Sequence, residues 1–339
     1  MKIEGIYKVV AIVLIITMIT GWYSGCISPD IKRDFFMGCV AVPRQPLDES
    51  SWINAFELLG NNAEFVLHHV QIDWELFENT SDVDINQSEE LQFLYFITEM
   101  SKLYNLDVFI VIDPLTQNRE NLDPNSVGMN FSVSGVRQAF KNIAIHIAQY
   151  YSPIYLGLGS EVNTYIHHHP EDKNNFISLY KETYDLVKQE SSETKITTTL
   201  QFESMAGLHE AEAHFEIIDE FEPKLDIIGI TTYPSPYFRT PDEIPDTYYS
   251  QLKEYTNKPV IVAESGWPSG GNLAYHGSEK NQRRFLIRFV ELTIDIDLEL
   301  WIWWFLHDWE EYGDFFSTMG LRKSNGIPKT SWFVWKNIF

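Results

Sequence analysis

VIVAESGWPSGG, residues 260–271, drives four apolar residues straight into a carboxylate, Glu264, and follows it with Ser265, Gly266, Trp267 and Pro268. A short continuous apolar run reads as a strand covered on both faces. The Gly and Pro beyond it end the strand. A carboxylate taken out of water is costly unless it is paired or hydrogen-bonded. Glu264 therefore needs partners elsewhere in the chain.

Seven further apolar runs lie outside this stretch, at 35–42, 65–72, 107–112, 154–160, 195–201, 227–233 and 300–306. With Val260–Glu264 they make eight expected strands. Most are unbroken Val, Ile, Leu and Phe rather than alternating, as parallel strands buried on both faces are. Helix-like segments fill the gaps. The early ones are Ser51–Leu59, a segment opened by a capping-box pattern at Asn86–Glu89 and running to about Tyr104, Gly135–Tyr150 and Asn174–Glu190. Glu210–Phe221, Asp246–Tyr255, Ser278–Leu292 with Ser278 as N-cap, and Ser331–Ile338 follow. Eight β–α units in one run predict an α/β fold, a (β/α)8 TIM barrel, as a single domain over residues 34–339.

The 339-residue chain is 44% hydrophobic, enough for a large core, and its formal net charge of −23 argues against nucleic acid and anionic membrane surfaces as partners. Residues 1–26 stand apart: Lys2 and Lys8 flank the apolar run Val9–Thr20, and Ser24, Gly25 and Cys26 close it. A positive start, a short apolar core and small residues read as a signal peptide. Ser-Gly-Cys at its end resembles the lipobox of prokaryotic lipoproteins, which implies lipidation of Cys26. An uncleaved anchor helix is the alternative, although the run is short for a membrane span. Residues 27–33 read as a linker. Either way the expectation is an exported body at the cell surface, membrane-anchored through its N-terminus alone. Cys39, the only other cysteine, lies in an apolar run and reads as a buried structural residue. With Cys26 lipidated no disulfide can form, and no Cys-x-x-Cys offers a thiolate zinc site.

In such barrels chemistry sits where the strands end. The fourth expected strand runs into Ser160, Glu161 and Asn163, the sixth ends at Tyr233 and the seventh at Glu264. The second and third end near Gln71, Asp73 and Asp113, and the eighth carries Trp301, Trp303 and Trp304, then His307 and Asp308. Two facing carboxylates are what glycosidic bond cleavage requires. One is protonated and donates to the leaving oxygen; the other is ionised, as nucleophile or as base for water. Their mutual repulsion separates their pKa values. Aromatic faces such as those of Trp267 and Trp304 suit the C–H faces of sugar rings.

Glutamates on strands four and seven of a (β/α)8 barrel resemble clan A of the glycoside hydrolases, which are retaining enzymes. Within the clan, Val260–Gly271 resembles the nucleophile signature of family 17, the β-1,3-glucanases. Trp303-Trp304-Phe305 followed by Asp308, Met319-Gly320-Leu321 and Pro328-Lys329 resemble that family's last strand and C-terminal end. Gly157–Asn163 is similar to family 53, the endo-β-1,4-galactanases. The resemblance implies a retaining β-glycosidase acting on a β-glucan or β-galactan, with a carbohydrate substrate and neither cofactor nor metal. It implies that Glu161 is the general acid/base and Glu264 the nucleophile, that Tyr233 hydrogen-bonds the nucleophile, and that Trp304 floors the subsite at the cleavage point. Ser160, Asn163, Trp267 and Asp308 complete the expected substrate-binding set.

Two departures from the clan stand out. Ser160 occupies the position before the acid/base where the clan places Asn, with Asn163 nearby as a possible substitute. The clan's Arg near the end of strand two has no counterpart in His68–Trp74. These departures motivate a second reading, a non-catalytic glycan-binding pseudoenzyme; retention of both glutamates argues against it. An exported solute-binding lipoprotein would need two lobes rather than one run of eight units. His167, His168 and His169 read as a solvated loop beside the cleft rather than a metal site, and one of His68 and His69 faces the cleft because strand neighbours point to opposite faces.

Overall fold

The computed structural model describes residues 33–209 and 212–339. The signal-peptide reading, Cys26 and all but the last residue of the expected linker lie outside the described residues. Arg33–Phe339 forms one compact unit rather than two lobes.

Among the described residues nine strands build it: β1 (Phe36–Val40), β2 (Phe65–Gln71), β3 (Asp107–Asp113), β4 (Tyr155–Leu158), β5 (Lys195–Thr197), β6 (Thr199–Gln201), β7 (Ile228–Thr232), β8 (Val260–Ser265) and β9 (Leu298–Phe305). Every ladder is parallel and the order is β5-β4-β3-β2-β1-β9-β8-β7-β6. The two ends of the sheet, β5 and β6, are one expected strand interrupted at Thr198. The barrel therefore closes through the chain itself, and its eight runs are the eight expected from the sequence. Where the ladder lapses, the Thr198 hydroxyl and the Thr199 N–H both donate to the carbonyl of Gly159, at 3.2 and 3.1 Å.

The interior is filled by alternate residues of the strands: Phe65 and Leu67 on β2, Phe109 and Val111 on β3, Tyr155 on β4, Ile261 and Ala263 on β8, and Leu300 and Ile302 on β9. The same alternation, carried one step further, aims His69 and Gln71 of β2 and Asp113 of β3 into the mouth of the barrel, where they line the cleft. On the other face of β9, Trp301 stacks on Phe289 at 4.2 Å and Trp303 packs near Phe285, so both are helix-facing core residues.

Two bulges re-aim the residues above this core. Between β7 and β8, Ile230 pairs with Val262 but Thr231 pairs with Glu264, leaving Ala263 as the extra residue. Regular alternation from Ile261 would have turned Glu264 toward the helices; the bulge turns it inward. Between β1 and β9, Cys39 pairs with Trp303 and Val40 with Phe305, so Trp304 is the extra residue and both Trp304 and Phe305 join the interior. Cys39 is a buried free cysteine on β1.

The long helices fall where periodicity places them: Glu49–Gly60, Ser134–Tyr151, Lys173–Glu190, Thr330–Ile338, and Glu279–Thr293 with Ser278 accepting from Asn281 N–H. Four expectations are corrected. The helix expected from Asn86 begins at Glu89, because Ser88 caps it while Asp84 and Gln87 cap a separate 3-10 turn. Of Glu210–Phe221 only Ile217–Phe221 is helical among the described residues, and Asp246–Tyr255 reduces to a 3-10 turn at Ser250–Glu254. Val162–His168 is a helix, so His167 and His168 sit on its last turn rather than on an extended loop.

Candidate active site

Glu161 sits at a tight exit from β4. Gly159 has φ +104°, and a Cβ there would lie 2.6 Å from Val162 Cγ1. Glu161 itself adopts φ +48°, a left-handed conformation that costs a non-glycine residue about 1–2 kcal/mol. Its backbone N–H donates to Thr199 Oγ1 at 2.9 Å, and the Thr231 hydroxyl donates to its Oε1. Thr231 also pairs in register with Glu264, so it stands between the two glutamates.

Glu264 is buried on β8. Its Oε2 accepts from the Tyr233 O–H at 2.7 Å, and its Oε1 lies 3.2 Å from His69 Nε2. The other ring nitrogen of His69, Nδ1, lies 3.4 Å from Asp113 Oδ2. Arg119, from the loop after β3 and itself at φ +63°, pairs with Asp113, and its Nε lies 3.6 Å from Glu161 Oε2. The two glutamates are thus joined by a chain of alternating acidic and basic side chains: Glu264, His69, Asp113, Arg119, Glu161. Left-handed non-glycine residues are few in this fold, and two of them, Glu161 and Arg119, belong to this cluster.

The electrostatics differentiate the carboxyls. Burial, reinforced by the nearby charge of Glu264, pushes Glu161 up to about 7, against the pull of Arg119 and of the Thr231 hydrogen bond. Asp113 is held low: burial opposes its ionisation, but Arg119 and His69 outweigh it. His69 is likewise disfavoured as a cation by burial, yet the carboxylates of Asp113 and Glu264 raise it to about 9. The Tyr233 phenol is driven up by burial and by Glu264, which keeps it a donor.

The cavity around both glutamates has a volume of about 310 Å3 and is walled by Tyr233, Tyr237, Trp304 and Phe316. It shares Arg119, Trp304 and Tyr312 with a second cavity of about 510 Å3 that contains His69 and Asp113. That one shares Gln71 and Asp123 with a third, of about 830 Å3, reaching Asp73 and Glu89. Together they form a groove across the mouth of the barrel with the glutamates in its floor.

Four expected sugar contacts do not face this groove. Ser160 is fully buried with its hydroxyl unpartnered, behind the turn that carries Glu161. Both ends of the Asn163 amide are engaged by Gln201, donating to its carbonyl at 3.0 Å and accepting from its N–H at 2.8 Å, so Asn163 pins the end of β6. Trp267 is core: it packs on Phe285 and donates to the carbonyl of His276. Asp308 pairs with buried Lys329, which also donates to the carbonyls of Thr318 and Gly320. His307 is buried too, with Nδ1 2.8 Å from the Val42 carbonyl oxygen. The expected Tyr233, Trp304, Glu161 and Glu264 do meet at one place. Of the two strand-two histidines, His69 faces the groove while His68 packs on Phe93. Sequence reasoning missed Arg119 and Thr231. Alternation along β7 with Tyr233 could have found Thr231; nothing local marks Arg119.

The sequence model of glycosyl hydrolase family 53 matches residues 149–293, the segment that holds both Glu161 and Glu264. No curated protein sequence matches the chain. Among solved structures, two fungal β-1,4-galactanases are represented by one with TM-score 0.62 and 15% identity, over 84% of this chain and 90% of that one. A family 39 glycoside hydrolase from the gut symbiont Bacteroides cellulosilyticus WH2 superposes with TM-score 0.63 and 18% identity, over 89% of this chain and 62% of that one. A β-glucuronidase from an uncultured Clostridium sp. gives TM-score 0.58 and 16% identity, over 89% of this chain and 50% of that one. This chain thus spans half of that glucuronidase's length, and at these identities the likeness is one of fold. The chain has the barrel fold of these glycoside hydrolases, and its likeness to family 53 lies in the segment that carries both glutamates.

Proposed function

We propose that this protein is a retaining β-glycosidase that hydrolyses a β-galactan or a related β-linked glycan. The observation that carries the proposal is the pairing itself: a carboxyl raised to about 7, Glu161, shares one groove with Glu264, whose Oε2 accepts from Tyr233 and whose Oε1 lies 3.2 Å from His69. Glu264 attacks the anomeric carbon while Glu161 gives its proton to the leaving oxygen, breaking the glycosidic bond and forming a glycosyl ester on Glu264. Ester formation removes the Glu264 charge that reinforced burial in raising Glu161, and Arg119 at 3.6 Å favours the carboxylate it has become. Glu161 then takes a proton from water as the water oxygen attacks the anomeric carbon, and Glu264 leaves as carboxylate.

The family 53 match supports β-galactan, and the length of the groove supports cleavage within a chain rather than from its end. The likeness of Val260–Gly271 to family 17 favours β-1,3-glucan as a second substrate. Incubating the full chain with β-1,3-, β-1,4- and β-1,6-linked galactans and glucans, with products resolved by chromatography, separates these. Oligosaccharides released early from one of them support the reading. Binding without hydrolysis of any would instead mean a glycan-binding pseudoenzyme. We also propose surface anchoring through lipid on Cys26, in keeping with the Lys-flanked apolar run before it. Radiolabelled palmitate should enter the wild type but not a Cys26→Ala variant in a bacterial host.

A further inference from the structure

We propose that His69, held as an imidazolium between Glu264 and Asp113, is the positioning cation of the nucleophile in this chain. The inference rests on the glycosidase reading for its kinetic consequence but not for its charge state.

The geometry carries it. His69 lies between two carboxylates: Nδ1 is within hydrogen-bond reach of Asp113 Oδ2 at 3.4 Å, and Nε2 lies at ion-pair distance, 3.2 Å, from Glu264 Oε1 without the alignment of a hydrogen bond. A neutral imidazole has one N–H and one lone pair, so it would bring a lone pair to within 3.4 Å of one of the two carboxylates; the doubly protonated ring presents positive charge to both. Both carboxylates are nearly fully buried, where an ionised group needs a cation or donors. The local balance agrees: with Glu161 protonated, Glu264 and Asp113 supply two negative charges, and Arg119 and His69 supply two positive ones.

The surroundings of His69 are these. Glu264 faces it from β8 and Asp113 from β3, with Arg119 behind Asp113. The Trp304 ring on β9 lies edge-to-face with it at 5.7 Å, fixing its plane. Tyr233 on β7 reaches it only through Glu264, and Tyr312, on the loop after β9, lines the same cavity. His68, its neighbour on β2, points away toward Glu90 at 4.0 Å and is kept neutral by burial. The two carboxylates outweigh burial and hold His69 charged up to about pH 9. The sign follows: a cation favoured in the fold contributes stability that is present below pH 6.5 and lost as pH rises through about 9.

The test is histidine ring 15N NMR on the full chain at pH 7.5, with the His69 signals assigned by their loss in His69→Gln. Two protonated ring nitrogens are expected; one unprotonated nitrogen overturns the proposal. Kinetics add a readout that a packing role would not move. His69→Gln should lower kcat about 10- to 100-fold with KM within about threefold, and His69→Arg should recover about tenfold of that. Unchanged kcat in His69→Gln, or no gain from Arg over Gln, overturns the positioning role. Should no glycan be hydrolysed, the glycosidase reading fails while the NMR result still decides the charge of His69.

Discussion

Removing a single oxygen atom, by Tyr233→Phe, tests how the nucleophile is held. The Tyr233 O–H donates to Glu264 Oε2 at 2.7 Å inside a buried pocket, and its ring lies edge-on to Phe315 and Phe316 at 5.8 and 5.2 Å. Phe keeps the ring and both aromatic contacts, so the fold should be retained. What is lost is one hydrogen bond to a charged acceptor, worth about 1.5–3 kcal/mol. That loss divides kcat/KM by about 10 to 150 if the bond orients Glu264 for attack. Initial rates on the best polysaccharide, with circular dichroism to check folding, measure it. A folded variant within twofold of wild type would refute the idea that Tyr233 positions the nucleophile.

Other outcomes follow from the same geometry. Because Glu161 must carry a proton and is raised to about 7, kcat/KM should fall above pH 7, and Glu161→Gln should abolish that alkaline limb. The same variant should lose about 100-fold or more on native glycan but much less on an aryl glycoside whose leaving group needs no proton; equal losses on both would count against the acid role. The stability sign of Glu161 is fixed as well: the fold binds its proton between pH 4.5 and about 7, so its contribution is lost as pH rises across that window, and Glu161→Gln should flatten the stability–pH curve there. Glu203, buried beside the site, accepts from the Thr232 and Tyr248 hydroxyls, the Tyr233 N–H and the Gln201 amide. Glu203→Ala strands these donors and should cost about 3 kcal/mol or more in denaturant unfolding, and a loss under about 1 kcal/mol would be inconsistent with that role.

The barrel was legible because its strands are apolar on both faces, which leaves unbroken runs in the sequence. Glu161 and Glu264 were legible for the opposite reason: each is a carboxylate where such a run ends. The register was not. KITTTLQ, residues 195–201, gives no sign that Thr198 breaks the ladder. The bulge opposite Thr231 that turns Glu264 inward, and the one that makes Trp304 the extra residue of β9, depend on neighbouring strands. For the same reason Trp267 and Trp304, both aromatic residues near strand ends, part company: Trp267 goes to the core and Trp304 to the groove. The place of Ser160 and Asn163 beside Glu161 suggests sugar contacts, but the left-handed turn there faces them into the protein. Arg119 is fifty residues past the His69 whose column it completes, in a loop with no periodicity, and only the folded chain brings it to Asp113.

The central claim is double displacement by Glu161 and Glu264. The anomeric configuration of the first-formed sugar, followed by 1H NMR from the moment the full chain meets its substrate, tests it most directly. The β-anomer should appear first and mutarotate later to the equilibrium mixture. An α-anomer appearing first would mean that water attacks in a single step, and would contradict Glu264 as a covalent nucleophile.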